Sequence, residues 1–232
     1  MELYVGTSGY SYPTWKGSFY PKDLPAKQML SYYSQSFRTV EINYTFSRMP
    51  TVSVLENWAS AVPAAFQFVL KAPGQITHRK RLKDAGESLS NVLEIAGKLK
   101  KRLGPLFFQL PPNFQKDAAR LRTFLALLPR GRRVAFEFRH PSWFDNEVFG
   151  LLRKRRVALC IADADDNLEV PLVATTEWGY LRLRRTDYDD KASKKWAKEV
   201  RRQAWRDAFV FFKHDNAGKG PAMAKRFLEL AE

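Results

Sequence analysis

Short apolar runs of strand length alternate with amphipathic stretches of helical period along the whole 232-residue chain, and no other feature narrows the fold as much. The strand-like runs lie at 4–8 (YVGTS), 39–43 (TVEIN), 66–73 (FQFVLKAP), 105–110 (PLFFQL), 134–139 (VAFEFR), 158–163 (ALCIAD), 179–184 (GYLRLR) and 208–214 (AFVFFKH). Between them come stretches such as AKQMLSYYSQSF, SLSNVLEIAGKLKKRL and SKKWAKEVRRQAW, with a last one, GPAMAKRFLELA, after the eighth run. Only the connection after the sixth run, ADADDNLEVPLVATTEW, lacks a convincing long helix. Repeated strand–helix units imply parallel strands joined by right-handed crossovers. Eight of them suggest a closed barrel rather than an open sheet, since closure removes both edges. The expected fold is therefore α/β, a single (β/α)8 TIM-type barrel over residues 1–232 with a reduced connection after strand six. A hydrophobic content of 45% is ample for its core, and no Ser/Gly/Pro-rich linker divides the chain.

Lysine and arginine number 39 against 24 acids, a formal charge of +15 that raises nucleic acid, anionic lipid and phosphorylated small molecules as partners. The opening MELYVGTSGY has no basic, apolar or cleavage region, and no run of 18 apolar residues occurs, so the expectation is a cytoplasmic protein without a membrane partner. Cys160 is the single cysteine and sits in the apolar run VALCIAD, which excludes an internal disulfide and reads as a buried thiol.

Catalytic groups in such barrels gather at the C-terminal rim of the strands. The polar residues in the last part of each run are Ser8, Glu41, Asn43, Lys71, Gln109, Glu137, Arg139, Asp163, Arg182 and Lys213 or His214. In FEFRHPSWF, period two sends Phe136 and Phe138 to one face and Glu137 and Arg139 to the other, toward the mouth. A polar plug of buried pairs, Glu137 with Lys71 or Glu41 with Arg139, is the structural alternative. It weakens for the whole ring, because burying so many ions costs several kcal/mol each. After strand one, Tyr10, Tyr12, Trp15, Phe19 and Tyr20 could stack a ligand or form a satellite core over the rim. His78, His140 and His214 lie at or beyond strand ends without zinc-motif spacing. No cofactor is expected, and a single divalent ion on Glu41, Glu137 or Asp163 is the minority reading. In KHDNAGKGPAMAKRF, the backbone around Gly218 and Gly220, with Asn216 and Lys219, is expected to hold a phosphate or carboxylate at the start of the last helix, where Pro221 suits the first turn.

The stretches YVGTSGYSYPTWKGSFYP, TVEINYTFSRMP, KAPGQITHRKRL, FFQLPPNF, FEFRHPSWF, GYLRLR and VFFKHDNAGKGP, in order and spacing, resemble the YecE-like family, bacterial domain of unknown function 72. The resemblance spans essentially the whole chain. It implies a TIM-barrel-like fold and no reaction, and it places Gly6, Ser8, Trp15, Glu41, Asn43, His78, Gln109, Glu137, Arg139, Asp163 and Arg182 in the family pattern. This chain departs from that pattern with Arg184 and Arg185 where relatives carry His-Gly, and with Ser47 where an aromatic is common.

Three functions compete. The first is an enzyme (hydrolase, lyase or isomerase) acting on an anionic, phosphate-bearing small molecule. Lys71, Arg139 and Arg182 would hold the anion, Glu137 or Glu41 would be the general base, and Asp163 is the third catalytic candidate. The second is a nucleic-acid-binding or phosphodiester-processing barrel. Against it, the runs at 98–102, 130–133 and 153–156 fall at C-terminal helix ends, on the bottom face, where they offset helix dipoles and stay solvated. The third is a scaffold that binds a ligand without turnover.

Overall fold

A computed structural model describes residues 1–213 and 217–231. Eight strands form one all-parallel sheet: β1 (Glu2–Thr7), β2 (Thr39–Ile42), β3 (Gln67–Lys71), β4 (Leu103–Gln109), β5 (Val134–Glu137), β6 (Ala158–Asp163), β7 (Trp178–Leu183) and β8 (Asp207–Phe212). The helices α1 (Met29–Ser36), α2 (Val52–Ser60), α3 (Gly86–Gly97), α4 (Ala118–Leu127), α5 (Asn146–Arg155), α6 (Asp190–Arg202) and α7 (Lys219–Ala231) alternate with them. Residues 164–177, between β6 and β7, contain no helix. The protein is a TIM-type (β/α)8 barrel with a reduced sixth connection, and no helix among the described residues is long and apolar enough to cross a membrane.

Pairing runs continuously from β1 through β8, β7, β6, β5, β4 and β3 to β2, and the last seam is closed more sparingly. There, Ser8 bridges Glu41 and the Gly9 amide donates to the Glu41 carbonyl at 2.8 Å. The Tyr33 hydroxyl from α1 stitches the seam, accepting from the Thr7 amide at 2.8 Å and donating to the Thr39 carbonyl at 3.0 Å. Gly6 is required at this approach, because a Cβ there would sit 2.3 Å from the Thr39 oxygen.

Period-two alternation divides the apolar residues into two cores. The lumen holds Val69, Phe107, Ala135, Cys160, Tyr180, Phe209 and Phe211, while a larger cluster lies between the sheet and the helices. Toward the C-terminal end, the lumen residues give way to polar ones on the same parity. Gln109 pairs in register with Glu137 across β4 and β5, and Ala162 with Arg182 across β6 and β7. Parity therefore decides which strand-end residues enter the mouth.

Candidate functional site

The guanidinium of Arg182, buried in the lumen, lies between two carboxylates that are each 0% exposed. Its Nη1 donates to Glu137 Oε2 at 2.8 Å and its Nη2 to Glu41 Oε1 at 2.9 Å, with the plane packed over the Phe107 ring at 4.8 Å. Glu41 also accepts from Ser8 Oγ (2.7 Å), Asn43 Nδ2 (3.1 Å) and the Tyr180 hydroxyl (2.5 Å). Glu137 Oε1 accepts from Gln109 Nε2 and Arg139 Nε, each at 2.8 Å, and lies 3.7 Å from Arg184 Nη2. Burial alone would raise the Glu137 pKa, but Arg182, Arg184 and Arg139 together hold it far below the ordinary carboxylate range. Glu41 is lowered likewise, with burial opposed by Arg182 and the bonds from Tyr180 and Ser8. Held ionised by guanidinium groups, both glutamates are poorly suited to the general-base role expected from the sequence, because a carboxylate so paired accepts protons weakly.

Lys71 is the group whose proton is loosely held. Burial, reinforced by Arg182 and only partly offset by Glu41 and Glu137, lowers its pKa to about 8. Its Nζ donates to Gln109 Oε1 at 2.9 Å and packs 4.4 Å from the Phe46 ring centroid. The expected Lys71–Glu137 pair is thus replaced by a relay, ammonium to Gln109 amide to carboxylate, and the expected Glu41–Arg139 pair by Arg182. The β3 strand leads into a π-helical turn, Gln75–Arg79, that carries His78 to the same rim. His78 Nδ1 lies 2.9 Å from Thr77 Oγ1, its ring edge meets Phe46, and burial with Lys71, Arg139 and Arg81 lowers its pKa, leaving a neutral imidazole at neutral pH. Above these groups, Pro112, Arg139, Asp166, Asn167, Leu168 and Arg184 line an opening of about 350 Å3.

Sequence reasoning placed several other residues at this mouth that the structure puts elsewhere. Asp163 is one residue out of phase: Cys160 faces the lumen, so Asp163 faces the helix layer. There it accepts from Arg185 Nε (2.8 Å), the Tyr188 hydroxyl (3.0 Å) and Trp196 Nε1 (2.8 Å). Trp15 is 0% exposed, packed with Tyr12, Phe19 and Tyr20, and Tyr10 leans on Tyr33, so this loop is a satellite core and not a stacking platform. His140 caps a short turn by accepting from the Ser142 amide. His214 and Asn216 lie outside the described residues. Gly218, at φ +77°, is lodged against Ser18 Oγ, Gly220 is buried inside α7, and the Ala222 amide already donates to the Gly218 carbonyl at 3.2 Å. Lys219 is exposed, and Pro221 does stand in the first turn. A divalent ion gains no support from the donor set. Among the described residues no three His, Cys, Asp or Glu side chains converge, and an ion on Glu41 or Glu137 would have to displace Arg182.

Tyr180 is the lumen residue that sequence reasoning missed, and Arg184 joins it at the mouth, 3.7 Å from Glu137. Tyr180 shares the parity of Arg182 in GYLRLRR, and that is the signal that would have placed it in the lumen. Tyr180 stays a protonated donor, since burial and Glu41 raise its pKa well above the ordinary value.

Comparison with known proteins agrees with this architecture. The family model for a protein of unknown function, DUF72, matches residues 4–232. The UPF0759 protein YunF of Bacillus subtilis (strain 168) is 22% identical, over 99% of this chain and 95% of its own. A DUF72 family protein of Thermotoga maritima MSB8 superposes with a TM-score of 0.83 at 25% identity, over 99% of both chains. One from Enterococcus faecalis V583 gives 0.78 at 18%, over 99% of this chain and 97% of that one.

Proposed function

The chain belongs to the DUF72 family of proteins of unknown function, and for this member we propose that the barrel mouth binds and turns over a small molecule bearing a phosphate or similar oxyanion, with Lys71 carrying the proton. One observation supports the reading above all: four cations, Lys71, Arg139, Arg182 and Arg184, surround two carboxylates, Glu41 and Glu137, that are both fully buried. With Asp166 at the rim counted beside the two glutamates, the mouth keeps one excess positive charge, which draws an anion. The Nε atoms of Arg182 and Arg184 are buried donors with no acceptor among the described residues, and an incoming oxyanion would supply one. Glu41 and Glu137 then orient the cations. Lys71, near pH 8 in its proton equilibrium, gives or takes the proton when the bound molecule reacts.

The nucleic-acid reading draws on Tyr44, 57% exposed beyond β2, because the aromatics after β1 are occupied with one another. The test is calorimetric titration of the full chain with sulfate at pH 7. Lys71→Met and Arg139→Gln should each weaken binding about tenfold, the worth of one charge-assisted hydrogen bond. Equal affinity in folded variants and wild type would remove the anion from this mouth.

A further inference from the structure

The opposite end of the barrel carries a second concavity, of about 880 Å3, built by the loops after α4 and α5 and the residues entering β7 and β8. Seven of its fifteen lining residues are lysine or arginine and one, Glu177, is acidic. We propose that this cleft is a binding site for a compact small molecule bearing several phosphates.

Helix dipoles do not account for the charge. Their effect fades within the last turn, which covers Lys154 and Arg155 in α5, whereas Arg130, Arg132 and Arg133 lie beyond the end of α4 at Leu127. Ion pairing does not account for it either. Arg133 pairs with Asp207 at 2.7 Å, Arg206 with Glu177 at 3.1 Å, and Arg155 donates to the Leu128 carbonyl at 2.8 Å. Arg130, Arg132, Lys154 and Arg156 have no such partner for their side chains among the described residues, yet all four line one cavity. Arg156 also stands at φ +52°, in the left-handed C-cap of α5 where glycine fits without strain. Like charges gathered in a concavity repel one another, and a polyanion relieves that repulsion.

The chemistry of the lining also selects the kind of polyanion. The volume falls in the range of small-molecule sites, roughly 300–1,000 Å3. Single-stranded nucleic acid is held by exposed aromatics on which bases stack. The one aromatic here, Trp178, is 7% exposed and covered by Arg133 at 5.5 Å. Guanidinium forks without a stacking platform suit clustered phosphates.

The test titrates the full chain with inorganic tripolyphosphate by calorimetry at fixed ionic strength. In the double variant Arg130→Gln with Arg132→Gln, affinity at this site should fall at least about tenfold. Arg130→Lys with Arg132→Lys should retain most of it, which separates loss of charge from loss of fold, and the mouth variant Arg139→Gln should leave it unchanged. Unaltered tripolyphosphate binding in the Gln variant, or loss only in the mouth variant, would overturn the site. A single-stranded oligonucleotide that displaces tripolyphosphate through the same arginines and binds more tightly would overturn the compact ligand in favour of a nucleic-acid backbone. Because the two ends are probed by different variants, failure here leaves the reading of the mouth standing.

Discussion

Glu137 and Asp163 each close a strand, on neighbouring β5 and β6, and each is held by an arginine, yet they lie on opposite sides of the sheet. Glu137 faces the lumen, where burial is complete and three guanidinium groups crowd one carboxylate. Asp163 faces the helices, where Trp196 and Tyr188 tie it to α6 and the loop before it, and its arginine partner, Arg185, is half in solvent. The same chemistry at the same height of the barrel thus has two meanings. In the lumen it fixes the charge of a cavity; outside, it fastens an element to the sheet. Arg184 and Arg185 repeat the lesson, one turning to Glu137 and the next to Asp163.

The largest difference between the two regions should come from removing Arg182. Arg182→Met leaves Glu41 and Glu137 buried without their shared cation, and we expect a loss of about 3–5 kcal/mol in denaturant unfolding. A loss under about 1 kcal/mol would mean that water enters the cluster freely. The same cluster should govern acid stability. Glu41 and Glu137 both have folded pKa values below the ordinary 4.5, so the folded state binds fewer protons than the unfolded one in that range. Their contribution is whole above about pH 4.5 and is lost as pH falls through the folded values. Arg182→Met should flatten that acid limb, as followed by unfolding midpoints between neutral and acid pH.

Glu137→Gln is a milder test, since the amide keeps the shape and an acceptor oxygen. We expect about 2 kcal/mol of destabilisation and weaker sulfate binding, because Arg139 and Arg184 lose the charge that orders them. Asp163→Asn should have the smallest effect, about 1 kcal/mol or less, with sulfate affinity at the mouth unchanged. If Asp163→Asn weakens sulfate as much as Glu137→Gln does, the distinction between the lumen and the helix layer fails as a guide to function.

Much of the fold was legible in the sequence, because eight repeats of one period pattern leave few topologies, and the helix missing before β7 was visible as a run without amphipathic spacing. The lumen cluster was half legible. Alternation in VAFEFR set Glu137 and Arg139 on one face, and both belong to the mouth. Reading strand ends by proximity alone admitted Asp163, one residue out of phase, and passed over Tyr180, two residues before Arg182 on the same face. Which carboxylate meets which cation was not legible, since Glu41 and Arg182 are 141 residues apart and only barrel closure brings them together. The aromatics after β1 read equally well as a platform or a core. What decides between them is packing depth, which a sequence does not carry.

The central claim is that Lys71, and neither glutamate, is the titrating group of the mouth. Its most direct test is a pH titration of the protein with 13C-labelled lysine, followed by NMR, with the Lys71 resonance assigned by its loss in Lys71→Arg. The account predicts a lysine that titrates near pH 8 and shifts upward when sulfate is added, because a bound anion favours the ammonium form. A Lys71 that titrates with the surface lysines, or one indifferent to sulfate, would contradict it.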